Sequence, residues 1–202
     1  MIVDGSLVFH LKYTMFEIIV SFFFVVLLSL IIAMILWMFP TSAKISEPYL
    51  ILLNSLPKSA MAPLFIVWLG ANTKTIIVAG LSVAIFGSII NLYTGFLQTD
   101  AEKIKLIYTL GGTKKDVFCK VVFPSNIPTL LSTIKVDIGL SLVGVIIGEF
   151  LAARHGLGYL IIYGSEVFKM DLVIMSIILL CMIAAILYFF ICQIEKSIIK
   201  TR

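Results

Sequence analysis

Charge is scarce in this chain. Asp, Glu, Lys and Arg make up 13% of the 202 residues, 61% are apolar, and the mean hydropathy is +1.15. A soluble domain carries ~25% charged and ~45–50% apolar residues. That contrast excludes a disordered protein, a basic nucleic-acid-binding domain and an ordinary soluble core. Cysteine is equally sparse: Cys119, Cys181 and Cys192 have no metal-ligand spacing and build no disulfide scaffold. His10 and His155 stand alone near the ends of apolar runs. No Gly-x-x-x-x-Gly-Lys-Ser/Thr loop, His-Glu-x-x-His or Gly-x-Ser-x-Gly occurs. The apolar runs hold no convergent set of His, Asp, Glu or Cys. The expectation is a protein that is not an enzyme and has no cofactor, no metal site and no nucleic-acid partner.

What is abundant is uninterrupted hydrophobic sequence. Ile18–Ala43, Thr75–Thr99 and Leu172–Ile194 are 26, 25 and 23 residues long without one charged side chain. Each exceeds the ~20 residues that cross a ~30 Å hydrocarbon core as a helix. The chain therefore reads as an all-α, polytopic membrane bundle of five spans. The first runs from about Glu17 to Phe39 and is stopped by Pro40, with a polar turn at Pro40–Lys44. The second is broken by Pro57 and Pro63, with Tyr49–Leu56 interfacial and Ser59–Gly70 deep. The third is Thr75–Leu97, the fourth runs from Pro128 to about Ala152, and the fifth is Leu172–Ile194. Arg154–Asp171 is a connection rich in glycine. Five spans place nine Lys and Arg residues on the side of the Gln98–Pro128 loop and four on the other, with Lys58 and Lys135 near membrane ends. The positive-inside bias makes the first side cytoplasmic, so a short N-terminal segment, residues 1–15, starts outside.

The cytoplasmic loop, residues 98–128, carries the most information. Asp100–Leu110 patterns as an amphipathic helix, and Gly111-Gly112 breaks it. Thr113 can cap a second helix, with Asp116 three residues on. Val117, Phe118, Val121 and Val122 fall on one face of that helix, and Pro124 ends it. Two readings are open. The pair can lie on the lipid surface, as basic amphipathic helices do. Alternatively it is a docking knob for a cytoplasmic partner, with Phe118 as an apolar anchor and lysines at the rim.

Gly111, nine further residues and Val121-Val122-Phe123-Pro124 resemble the signature loop of bacterial ABC importer permeases. The positions where that loop has Glu-Ala-Ala are occupied here by Lys105, Leu106 and Ile107, with Glu102 one turn earlier. Asn54-Ser55-Leu56-Pro57 and Ala62-Pro63-Leu64-Phe65-Ile66-Val67-Trp68-Leu69-Gly70 are similar to the sulfonate, nitrate, taurine and bicarbonate permease group. So is Val145–Leu151 with Gly156–Leu160 after it. The resemblance runs over residues 16–202, the expected transmembrane permease domain. It implies a bacterial inner-membrane protein working with cytoplasmic ABC ATPase subunits, an external solute-binding protein and a second permease copy, a homodimer. The loop would be the coupling element between the third and fourth spans, through Lys105, Gly111, Gly112, Thr113, Asp116, Val117, Phe118, Val121 and Pro124. The substrate it implies is a small anion such as a sulfonate, nitrate or taurine. A pyrimidine-type vitamin precursor is the alternative, and a truncated, non-transporting permease remnant is the rival from another class. Such permeases usually have six helices, and the resemblance begins where the second would, so a first helix is expected to be missing.

Small residues at Gly80, Ala84, Ser88, Asn91 and Gly95, and Gly144-x-x-x-Gly148, read as close helix packing. Ser88 and Asn91 are the alternative candidates for a translocation path. Lys135 and Asp137 are expected to snorkel to the cytoplasmic face, and Glu149 to sit at the outer interface.

Overall fold

The computed structural model describes residues 6–200, with side chains through residue 197. Every regular element among the described residues is helical. Helix α1, Ser6–Met38, has 33 residues, roughly 50 Å at 1.5 Å per residue. It starts well before Glu17, so residues 6–15 are its first turns rather than a separate segment. Pro40 does not begin a turn. It opens α2, Pro40–Ser55, as the first helical residue, where its missing N–H costs nothing. Leu56 and Pro57 are extended, and α3, Lys58–Leu69, follows, ending on Gly70 at φ +80°. Helix α4 is Thr73–Leu97.

The loop of residues 98–128 folds into α5 (Ala101–Thr109), α6 (Lys114–Val117), a π-turn at Phe118–Val122 and α7 (Phe123–Ser125). Helix α8 is Ile127–Ala152, α9 is Leu157–Glu166 and α10 is Met170–Lys200. The glycine-rich connection thus contains a helix of its own. Among the described residues, four helices are long and apolar enough to cross a membrane, or five spans result if α2 and α3 make one broken span.

The chain divides into two compact units. One comprises residues 1–25, 57–84 and 135–202. Its core is Ile18, Ile76, Val145, Leu157, Leu160, Leu172, Leu180 and Ile183. Two glycines of α8 set the approach to α4 there. A Cβ at Gly144 would lie 2.7 Å from the Gly80 Cα, and one at Gly148 would lie 3.0 Å from the Ile76 Cα. Ser21 of α1 donates to the Ile77 carbonyl at 3.2 Å. Lys135 pairs with Glu195 of α10 at 2.5 Å, and Asp137 is 2% exposed. These two therefore do not both snorkel: one is ion-paired and the other is buried.

The second unit comprises residues 26–56 and 85–134. Its core is Ala33, Leu92, Phe96, Val117, Phe118 and Val122. Gly95 lets α4 approach the start of α8, since a Cβ there would meet Thr129 Cγ2 at 2.9 Å.

Candidate functional site: the capped loop and a buried carboxyl cluster

Within the second unit, local chemistry defines each turn of the loop. Asp100 caps α5 by accepting from the Glu102 N–H at 2.9 Å. Gly111 sits at φ +79° with open space around its Cβ position. Its requirement is therefore conformational and not steric. Gly112 is confined instead: a Cβ would lie 2.5 Å from Ile107 Cγ2.

Thr113 and Asp116 then close a capping box. The Asp116 N–H donates to Thr113 Oγ1 at 3.3 Å, and the Thr113 N–H donates to Asp116 Oδ2 at 2.9 Å. The Thr113 hydroxyl also donates to Oδ2 at 2.6 Å. These Thr113 hydrogen bonds, with Lys120 3.2 Å away, hold the exposed Asp116 carboxyl down at about 2.

Pro124 does not stop this helix. The preceding π-turn shifts the bonding, with the Phe123 N–H reaching the Phe118 carbonyl five residues back. The helical path continues to Ser125 and closes at Asn126. The Asn126 side-chain amide donates to Thr99 Oγ1 at 2.8 Å and to the Val122 carbonyl at 2.9 Å.

Phe118 is not an exposed anchor. It is 7% exposed, set 5.5 Å from Trp37 and 5.4 Å, edge on, from Phe96. Val117 is fully buried and Val121 half-buried. The amphipathic face of this segment is spent on the chain's own core, which excludes burial in lipid for that face. Lys114 reinforces the attachment by donating to the Met38 carbonyl at 2.8 Å, at the C-terminus of α1, and lies 5.5 Å from the Trp37 ring. The outward surface includes Lys105, Lys115 and Lys120 and the exposed apolar residues Leu106, Tyr108 and Leu110 beside Gly111. Of the two path candidates, Ser88 is buried and Asn91 exposed.

The first unit holds a polar cluster that sequence reasoning missed. Glu149, near the end of α8, is 1% exposed, its carboxyl enclosed by protein. Its Oε1 accepts from the Thr14 hydroxyl at 2.6 Å and its Oε2 from the Gly158 N–H at 2.5 Å. Thr14 Oγ1 in turn accepts from the Leu157 N–H at 2.8 Å, and His10 Nδ1 accepts from the Gly156 N–H at 3.0 Å. Gly156 stands at φ +109°, and a Cβ there would collide with the Glu149 carboxyl. A Cβ at Gly158 would lie 2.8 Å from Glu149 Oε2. The available signal was this pair of glycines at the start of α9, following an acidic residue at the end of α8.

Comparison with known proteins places the chain. A family model, "Binding-protein-dependent transport system inner membrane component", matches residues 25–200. The chain is 27% identical over 150 residues to the formylaminopyrimidine transport permease ThiX of Halalkalibacterium halodurans, covering 74% of this chain and 60% of that protein. It is 25% identical over 185 residues to the taurine transport permease TauC of Escherichia coli, covering 91% of this chain and 67% of that one. Its fold matches a chain of the methionine ABC transporter MetNI in inward-facing crystals with TM-score 0.77, at 17% identity, over 93% of this chain and 94% of that one. With the family match spanning most of its length, this chain belongs to the inner membrane components of binding-protein-dependent transport systems.

Proposed function

We propose that the chain is the permease subunit of a bacterial ABC importer. It forms the translocation path and couples it to ATP hydrolysis in a partner ATPase. One observation carries this reading: the capped loop around Gly111, fixed from below by Phe118 and Lys114, presents Lys105, Leu106, Tyr108 and Leu110 outward. An amphipathic pair meant for lipid would bury its Val117–Phe118 face in the headgroups. Here that face is already covered.

A second permease copy, an external solute-binding protein and cytoplasmic ATPases complete the proposed assembly. The exposed apolar faces of α1 and α10, among them Phe23, Ile178 and Phe189, suit lipid and a second copy. The transported solute is proposed to be a small anion such as a sulfonate, nitrate or taurine, on the pattern of the taurine permease it resembles. The match to a formylaminopyrimidine permease supports a vitamin precursor as the second reading.

Co-purification with the ATPase encoded beside this gene tests the coupling assignment. Leu110→Asp and Gly111→Val should leave the permease inserted and folded while ATPase recovery falls at least tenfold, a loss of ~1.4 kcal/mol. Recovery equal to wild type for both variants would overturn it.

A further inference from the structure

Helices α2 and α4 run side by side in opposite directions within the second unit. Near the end of α2, the Asn54 side-chain oxygen stands 3.5 Å from the point where a Cβ at Gly87 would lie. Nearer its start, Glu47 is within electrostatic reach of Tyr93. Beside this seam α4 turns a polar face outward. Asn91 and Thr94 are exposed three residues apart, and the exposed Gln98 follows one turn later. Gly87 precedes Asn91 by one turn, so Asn54 extends the same strip.

Depth decides what this strip faces. Gly87 is ten residues from the end of α4 at Leu97, about 15 Å at 1.5 Å per residue. That is half of a ~30 Å hydrocarbon core. The exposed Asn54 amide therefore stands near mid-membrane. Among the described residues, no hydrogen bond ties down the side chain of Asn54 or Asn91. An unpaired amide in hydrocarbon is strongly disfavoured, which argues against lipid beside this strip. The outer faces of α1 and α10 show the contrast, with Leu27, Ile31, Ile178 and Phe189 exposed.

Water and a dry seam with a second copy remain. A two-fold dimer sets a face against itself. A tight contact here would crowd two copies of the exposed Glu47 carboxyl and would need a partner for every amide. A water-filled gap needs neither. The strip also reaches the aqueous side without a break, ending at Gln98, where the capped loop begins.

We propose that this strip is one wall of a water-filled passage that enters the membrane beside the capped loop and reaches Asn54 at mid-depth. Lys44 and Glu47, exposed one turn apart on α2, balance each other's charge at its mouth. From Asn91 inward its polar groups are amides, which both donate and accept. A solute is therefore met there by hydrogen bonds and not by fixed charge. The proposal deepens the transport reading and rests on it for the passage being the one a solute takes.

The test is thiol labelling of the purified full chain in nanodiscs, on a Cys-free background. Single cysteines replace Asn54 and Asn91 and, as lipid-facing references, Leu27 and Ile178. All four positions are exposed, so none of the changes opens a core, and a monodisperse peak checks each variant. The probes are methanethiosulfonates carrying a trimethylammonium or a sulfonate group, ions that lipid excludes. Both should modify Asn54→Cys and Asn91→Cys at least about tenfold faster than the references, and at rates within about threefold of each other. Rates no higher than those of the references would overturn the proposal. Protection of both cysteines while copper phenanthroline joins two copies would identify a dry seam and overturn it as well. A tenfold preference for one reagent charge at Asn54→Cys would overturn the neutral lining. Co-purification of the ATPase reads the coupling assignment separately. Its loss leaves the labelling result standing, and failed labelling leaves the coupling assignment standing.

Discussion

Replacing Thr14 by Val isolates what the buried cluster contributes. Valine keeps the shape and removes only the hydroxyl. That hydroxyl donates to Glu149 at 2.6 Å and accepts from the Leu157 N–H at 2.8 Å. Glu149 and Leu157 are 1% and 0% exposed, so water does not replace either bond without local opening. Leaving a buried donor or acceptor unpaired costs ~1–3 kcal/mol each, so the pair of losses comes to roughly 2–6 kcal/mol. For a chain of this size, 1 kcal/mol shifts a melting midpoint by ~2–4 °C. Thr14→Val should therefore lower it by about 4 °C at the least. Thr14→Ser keeps the hydroxyl and should lose much less. The assay is the fraction of purified protein surviving as a monodisperse peak in size-exclusion chromatography after heating. A Thr14→Val midpoint within about 1 °C of wild type would refute the reasoning, because the Thr14 bonds would then carry no net weight.

Other predictions concern the loop and the packing. Phe118→Ala should destabilise the chain itself by ~3–5 kcal/mol, the usual cost of emptying a buried aromatic site. The same heating assay reads it, and a stable variant that merely loses the ATPase would restore Phe118 as an exposed anchor. Gly144→Ala places a Cβ 2.7 Å from the Gly80 Cα and 2.8 Å from the Ala79 carbonyl, so α8 must shift away from α4. A lowered yield of folded protein is expected, and wild-type yield and melting would argue that the approach is loose. Asp116 should titrate near 2 rather than 3.8, followed by its carboxyl carbon chemical shift. Since the folded value is depressed, its stabilising share is present above 3.8 and fades as pH falls toward 2. A midpoint at the ordinary value would show the capping box open. Single cysteines at Lys115 and Lys169 in a Cys-free background should label from the inside and the outside respectively. Labelling of position 115 from outside in intact cells would reverse the topology.

Local chemistry was legible in the sequence, and remote partnership was not. The Thr113–Asp116 box and the glycine break at Gly111 depend on residues within a few positions, and both stand where the pattern put them. Phe118 shows the limit. Helical spacing reveals that Val117, Phe118 and Val122 share an apolar face, but not that Trp37 and Phe96, far along the chain, cover it. Glu149 near a span's end gives no hint of its partner Thr14, 135 residues away. Pro40 and Pro124 look like stops in the sequence and are not. One sits in the first turn of a helix, where no N–H is needed. The other follows a π-turn whose bonding has already shifted.

The aromatic seat of Phe118 has a mechanical meaning. Close-packed interiors are nearly incompressible and pass strain along with little loss. Phe118 rests against Trp37 and Phe96, and Lys114 grips the carbonyl of Met38. The loop thus stands on the ends of α1 and α4 like a foot on a rigid shin. A push on its outward face near Leu110 has no slack joint to absorb it between Thr113 and those two helix ends. On the other side of Thr113 the bend at Gly111, at φ +79°, turns α5 back so that Ile104 and Ile107 rest on the same core, and the whole loop is seated as one piece.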